Sequence, residues 1–202
     1  MKTANNKTEM TGEFVRSKIG QLQTDSPWAK AMLAELRRGI GKDISESPGT
    51  WEVVLADMPE ELIYAGKEEC RATEAESAAY TALTLFALHK QSGDIAQMNG
   101  LSFGAAARNL ADGNNDAAIK RRFDAVMTST NLKEVSNHAR GLIQLMKAAD
   151  RPVGFDYVEF AKDLYRFQFT EGRRSVCLRW GQDFYAGKKA SNKENEKAKI
   201  GE

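Results

Sequence analysis

The sequence predicts an all-α protein, a helical bundle of about eight or nine helices. Three observations carry that prediction. Apolar residues recur at i, i+3, i+4 and i+7 in segment after segment. Prolines, glycines and capping residues fall at the ends of those periodic runs. No stretch alternates at period 2 for long enough to make a strand.

Residues 1–7 are polar and expected to fray; a helix follows at about 9–22, with Phe14, Ile19 and Leu22 as its apolar contacts. Asp25-Ser26-Pro27 is a helix start, a capping residue followed by proline in the first turn. The helix Pro27–Arg38 should bury Trp28, Met32, Leu33 and Leu36. Gly39 ends it, with Arg37 and Arg38 in the last turn, where cations complement the helix dipole. Residues 39–50 have loop composition, and Trp51–Met58 forms a short helix stopped by Pro59. The segment 57–76 is an acidic belt read as an exposed connection: Asp57, Glu60, Glu61, Glu68, Glu69, Glu74 and Glu76 stand against only Lys67 and Arg71.

Thr73–Gln91 is the most apolar helix. Ala75, Ala78, Ala79, Ala82, Leu83, Leu85, Phe86 and Leu88 nearly surround it, which places it centrally in the bundle. The loop 92–101 is the best candidate for a division into two packed lobes. Ser102 caps a short helix, Phe103–Leu110, from which Arg108 projects, and Asp112-Gly113-Asn114-Asn115 is a turn.

The stretch from Ala117 to Lys147 reads as two consecutive amphipathic helices. Ile119, Phe123, Val126 and Met127 form the apolar face of the first, and Lys120, Arg121 and Arg122 fan over its other side. In the second, Leu132, Val135, Ala139, Leu142, Ile143 and Met146 make the buried stripe. Opposite them Lys133, Asn137, Arg140, Gln144 and Lys147 form a polar ridge with three positive charges and no acid. Such a ridge suits a phosphate backbone; the bland alternative is a solvated helix face. Phe155–Phe167 is again helical, and Gly172–Gly187 is the last helix, with Val176, Trp180 and Phe184 at i, i+4 and i+8. The domain is therefore expected to span 8–186. The remainder, 187–202, is a basic and polar tail expected to be disordered.

Net charge is +1, but its distribution is uneven. Residues 1–100 carry 11 basic and 15 acidic side chains, against 18 and 13 in 101–202. A protein of this kind can present one basic face while staying nearly neutral. Cys70 and Cys177 form no CxxC, and the first residues have no apolar signal core, so a reduced cytoplasmic protein is expected. His89 and His138 lack metal-site context, and no P-loop, dinucleotide-binding or nucleophile-elbow motif is present; no catalytic residue, metal or cofactor is assigned. What remains is arginine and lysine on helical faces, with arginine in excess. Guanidinium binds phosphate bidentately. The candidate nucleic-acid-binding set is Arg37, Arg38, Arg108, Arg121, Arg122, Lys133, Arg140, Lys147, Arg174 and Arg179. Aromatics lie on apolar stripes rather than on the basic face, so backbone contact without base reading is expected.

Taken in order, SFGAAARNLA, the run from Ala117 to Phe167 and VCLRWGQDFY resemble CasB, the small subunit of the type I-E CRISPR Cascade complex. The residues carrying the resemblance are Arg108, Arg121-Arg122-Phe123, His138 with Arg140, Asp156-Tyr157 and Asp163-Leu164. Arg179-Trp180 with Asp183-Phe184-Tyr185, and the element LAELRRGIGKD, complete the set. The resemblance covers most of residues 26–186; the acidic belt and the lysine tail have no counterpart. It implies a non-catalytic helical subunit, present beside a second copy of itself and contacting the backbone and large subunits. Its basic surface would steady the R-loop through crRNA, target-strand and non-target-strand backbones. R-loop exchange is nearly balanced in base-pairing energy, so modest phosphate contacts can tip it. The rival readings are a stand-alone helical regulator that binds duplex DNA sequence-specifically, and a small helical enzyme.

Overall fold

Every apolar run that keeps the helical period folds as a helix. In chain order these are α1 (Lys2–Leu22), α2 (Pro27–Arg38), α3 (Trp51–Val54), α4 (Glu74–His89) and α5 (Phe103–Asn109). They continue with α6 (Asp116–Met127), α7 (Leu132–Ala148), α8 (Tyr157–Phe167) and α9 (Thr170–Ile200). The computed structural model describes the backbone over 2–63, 71–92, 100–111, 115–151 and 153–200, with side chains from 6 to 186 within those bounds. No strand occurs among the described residues, and no helix among them is long and apolar enough to cross a membrane.

Helix α4 occupies the centre. Fourteen of its sixteen residues are buried, and α1, α2, α7 and α8 all pack on it. Its start is set locally by a capping box: the Thr73 hydroxyl accepts from the Glu76 amide while the Glu76 carboxylate accepts from the Thr73 amide. Glu76 is therefore 7% exposed, a correction to its reading as part of an exposed acidic connection. Asp57, at the other end of that belt, pairs at 3.1 Å with the buried ammonium of Lys18 on α1. Residues 64–70, the middle of the belt, lie outside the described residues.

Other boundaries shift modestly. Helix α1 begins at Lys2, not near residue 9, because Lys, Thr, Ala and Asn carry no helix-breaking residue to stop it. The expected loop 39–50 contains two single-turn 3₁₀ helices, Ile44–Glu46 and Pro48–Thr50, the first closed by a capping box at Asp43. Trp28 is only half-buried; its indole donates to Glu52 at 2.8 Å. The backbone of α9 is helical through Ile200, past the expected end at Gly187, as its Lys-, Glu- and Ala-rich composition permits. Side chains from 187 onward lie outside the described residues. So does 93–99, where the sequence places a lobe division; the buried side chains before and after it belong to one hydrophobic cluster.

The second packing focus is aromatic. Phe103 of α5, Phe160 of α8 and Trp180 of α9 meet with ring centroids 5.2–5.6 Å apart, and Phe155 and Tyr157 extend the group to His89. The approach of α5 to α9 is close enough that only glycine fits at 104: a Cβ there would overlap the Trp180 carbonyl. Gly104→Ala should therefore force the two helices apart, at about 1–3 kcal/mol or more, read as a Tm several degrees lower with helicity retained.

His89 ends α4 at 1% exposure, with Nδ1 3.0 Å from the Tyr157 hydroxyl. Burial disfavours its imidazolium; a hydrogen bond with the Val153 backbone opposes that, the Lys147 charge adds to it, and the pKa falls to about 4. Below about 6.5 the unfolded imidazole takes up a proton that the native one refuses. Its contribution to stability is thus full above pH 6.5 and is lost as pH falls toward 4, a drop on the order of 3 kcal/mol. Asp163 acts in the opposite sense, because burial raises its pKa. Comparing wild type with His89→Phe isolates the histidine: the fall in Tm between pH 7 and pH 5 should be shallower in the variant.

Candidate nucleic-acid interface

The sequence nominates ten cations, and the structure divides them by what each touches. Four face carboxylates. Arg38 pairs with Glu35 one turn back on α2, and Arg108 with Asp116 at 3.2 Å across the α5–α6 turn. Arg174 pairs with Glu171 at 2.8 Å, and Arg179 with Asp163. The other six, Arg37, Arg121, Arg122, Lys133, Arg140 and Lys147, form no ion pair among the described residues. Arg37 instead donates to the Ala87 carbonyl in the last turn of α4 at 3.4 Å, and Arg122 to Ala118 of its own helix at 3.3 Å.

Arg179 is a structural residue as much as a surface one. Asp163 is 3% exposed and receives Trp180 Nε1 on Oδ2 at 2.7 Å and the Arg179 guanidinium on Oδ1, with Arg166 3.6 Å away. Burial raises the Asp163 pKa, while Arg179, the Trp180 hydrogen bond and Arg166 hold against it. The guanidinium thus compensates a carboxylate inside the aromatic core. Lys162 and Arg166 of α8 are committed likewise, to Glu9 of α1.

Helix α7 carries the predicted ridge. Asn131 caps it by accepting from the Glu134 amide at 3.0 Å, and Val135, Ser136, Ala139, Leu142, Ile143 and Met146 are buried. Opposite them Lys133, Asn137, Arg140 and Gln144 are exposed, and no carboxylate interrupts the line. Lys147, half-buried, reaches past the end of α4 to Gln91 Oε1 at 2.9 Å. The loop after α2 lies against the same face: Gly41 has φ 78°, and a Cβ there would come within 2.6 Å of Asn137 Oδ1. Only glycine meets both conditions without strain. Arg37 is held against the last turn of α4, on which α7 also packs; Arg121 and Arg122 are exposed on α6, which packs on α7.

At the first turns of α7 the ridge opens into a cleft of about 320 Å³, lined by residues 42–44, Ser77, Tyr80, Thr81, residues 130–133, Ser136 and Gln168. The Tyr80 hydroxyl fixes its wall by donating to Gly39 O at 2.7 Å, with Ser47 Oγ 2.8 Å away. Lys42, exposed on this loop, is absent from the sequence-derived set; its signal is a lone cation following the glycine that seats the loop on α7. Among the described residues no group of three or more His, Cys, Asp and Glu is placed to hold a metal ion. His138 is exposed, and Cys177 is half-buried with its thiol 3.6 Å from Met127 O.

Replacing a committed arginine and a free one should separate the two classes. Arg179→Ala leaves Asp163 short of its counter-ion in the core and should cost about 1–3 kcal/mol, whereas Arg140→Ala should stay within about 0.5 kcal/mol of wild type. Chemical denaturation of the two variants measures the contrast.

The geometry has relatives. The family model for CRISPR-associated protein Cse2 matches residues 32–185. The crystal structure of CasB from Thermobifida fusca is similar at TM-score 0.70 and 30% identity, covering 87% of this chain and 98% of that one. CasB from M. ruber shares the fold at TM-score 0.64 and 21% identity, over 90% and 97%. A Cse2-family CRISPR-associated protein from Thermus thermophilus does so at TM-score 0.63 and 23% identity, over 87% and 97%. Comparison with curated proteins returns no match.

Proposed function

The chain belongs to the CRISPR-associated Cse2 family, and from that premise we propose what its basic side does within Cascade. Its family makes it a Cascade subunit, and we infer that its part there is structural, without catalysis. In this reading it steadies the R-loop through sequence-independent contacts with the displaced non-target strand, the target strand and the crRNA backbone. Its partners are the complex's backbone and large subunits and a second copy of itself.

One observation carries the reading: the exposed line Lys133, Asn137, Arg140 and Gln144 on α7, continued by half-buried Lys147, with no carboxylate paired to it among the described residues. Cations without counter-ions are available to phosphates, and each one engaged releases counterions from the strand. The two amides between them donate hydrogen bonds without reading a base. Arg37, held at the end of α4, and Arg121 and Arg122, on the helix packed against α7, are likewise free of acids among the described residues. Arg38, Arg108, Arg174 and Arg179 contribute less, since a strand phosphate must compete with the carboxylate each already holds.

Arg122→Ala combined with Arg140→Ala should leave the helical fold intact and weaken target binding by the assembled complex. Filter binding across a salt series measures it, and the slope of log K against log salt should fall by about one for each phosphate no longer engaged. Wild-type affinity in a complex of normal composition would remove the ridge from the mechanism. Scrambled single- and double-stranded DNA should bind the free protein weakly and without preference. One site preferred by orders of magnitude would instead identify a sequence-specific regulator.

A further inference from the structure

The cleft at the head of α7 contains a side chain that its own helix does not explain. Ser136 is 5% exposed, lines the cleft, and its hydroxyl has no hydrogen-bond partner among the described residues. Buried helical hydroxyls ordinarily bond back to a carbonyl of the preceding turn. Thr81 does so to Ser77 O at 2.8 Å and Ser129 to Ala125 O at 3.1 Å. Ser136 does not: its Oγ opens onto the cleft, where water or a ligand takes its donor.

The surroundings specify the occupant's charge. Lys42 and Lys133 stand at the same cleft, and neither forms an ion pair among the described residues. Asp43, the one carboxylate of the described lining, is held mainly by Ser45, its Oδ1 accepting from Ser45 N at 2.9 Å and Ser45 Oγ at 2.7 Å; it also feels the Lys133 charge, though the two form no ion pair. The first turn of the seventeen-residue helix α7 adds its positive dipole end, which Asn131 and Glu134 answer in part: Glu134 N donates to Asn131 Oδ1 at 3.0 Å, and the Glu134 carboxylate accepts from Thr130 N at 2.7 Å. Two ammonium groups and a hydroxyl without a protein partner among the described residues, at the head of that helix, together favour an oxyanion. A volume of about 320 Å³ is more than a bare oxyanion fills, and lies at the small end of ligand sites.

We propose that this cleft binds a phosphate ester with its sugar, and that it anchors one phosphate of the strand that the α7 ridge follows. Lys133 belongs to both the ridge and the cleft, so a backbone lying along Lys147 and Arg140 arrives there without changing helix face. The anchoring rests on the strand-binding function proposed above; the ester site itself does not.

Backbone-amide NMR of the full chain, titrated with inorganic phosphate and separately with thymidine 5′-monophosphate, reads the cleft directly. Saturable shifts are expected over residues 131–136, tighter for the monophosphate. They should weaken severalfold in Lys42→Gln/Ser136→Ala and remain unchanged in Arg151→Gln, an exposed position outside the ridge and the cleft. Lys42→Gln alone, at an exposed loop position, serves if the double variant does not fold. No saturable shift in wild type, or identical titration of the cleft variant, overturns the site. Affinity for scrambled single-stranded DNA then distinguishes the source of the ester. The cleft variant should bind about two- to fivefold more weakly, with a salt slope lower by about one. Intact monophosphate binding with wild-type strand affinity in the cleft variant overturns the anchoring and leaves a site for free phosphate esters. If Arg140→Gln keeps full strand affinity while the cleft variant loses it, the ridge fails and the cleft stands.

Discussion

A helix buried over fourteen of its sixteen residues has almost no side to turn to water, and α4 is such a helix. It has to be sheathed, and α1, α2, α7 and α8 supply the sheath. Each sheath helix needs apolar residues only on the side turned inward, which frees the outer side for polar and charged residues. The ridge on α7 follows from that arrangement: its buried stripe is fixed by α4 and α6, and the opposite face is open apart from the Gly41 loop at Asn137 and the Lys147–Gln91 bond. Arg37 is held at the end of α4 because α2 ends where α4 offers the Ala87 carbonyl.

The division of arginines between core support and open surface follows from counter-ions rather than from exposure alone. Arg179 has a side chain 43% exposed, yet its guanidinium is bound to a carboxylate that burial would otherwise drive to its neutral form. Removing one partner of such a pair leaves the other uncompensated, which is costly whatever the net worth of the intact pair. Arg140 has the opposite standing, with nothing to lose in the fold and a charge available to a partner. The protein can therefore be nearly neutral overall and still present a cationic face to phosphate, because its acids are placed elsewhere: Glu9 on α8's cations, Asp57 on Lys18, Glu171 on Arg174.

The helices are legible in the sequence because their signals are local. Ser26, Ser102 and Asp156 cap where capping residues stand next to apolar periodicity, and the ridge can be read from spacings of three and four. The pairings are not legible, because they join residues far apart in the chain. Nothing near Arg179 in sequence announces that Asp163 is buried beneath it, and nothing near Lys18 points to Asp57. Glu76 is the exception: composition alone makes it a surface acid, but Thr73-x-x-Glu76 is the local capping-box spacing that folds its carboxylate back onto the helix start. The cleft is hidden as the distant pairings are: Lys42, Tyr80 and Ser136 meet only once the loop is seated on α7.

The three tryptophans occupy three different environments. Trp180 is wholly enclosed, with its indole bonded to the Asp163 carboxylate and stacked on Phe160, whereas Trp51 is 44% exposed and Trp28 lies between. Indole fluorescence shifts to the red as solvent reaches the ring, so the emission of this chain combines a blue component from the α8–α9 seam with redder ones from the α2–α3 surface. Loosening of that seam would move the blue component alone, giving a native optical gauge of core integrity that needs no added label.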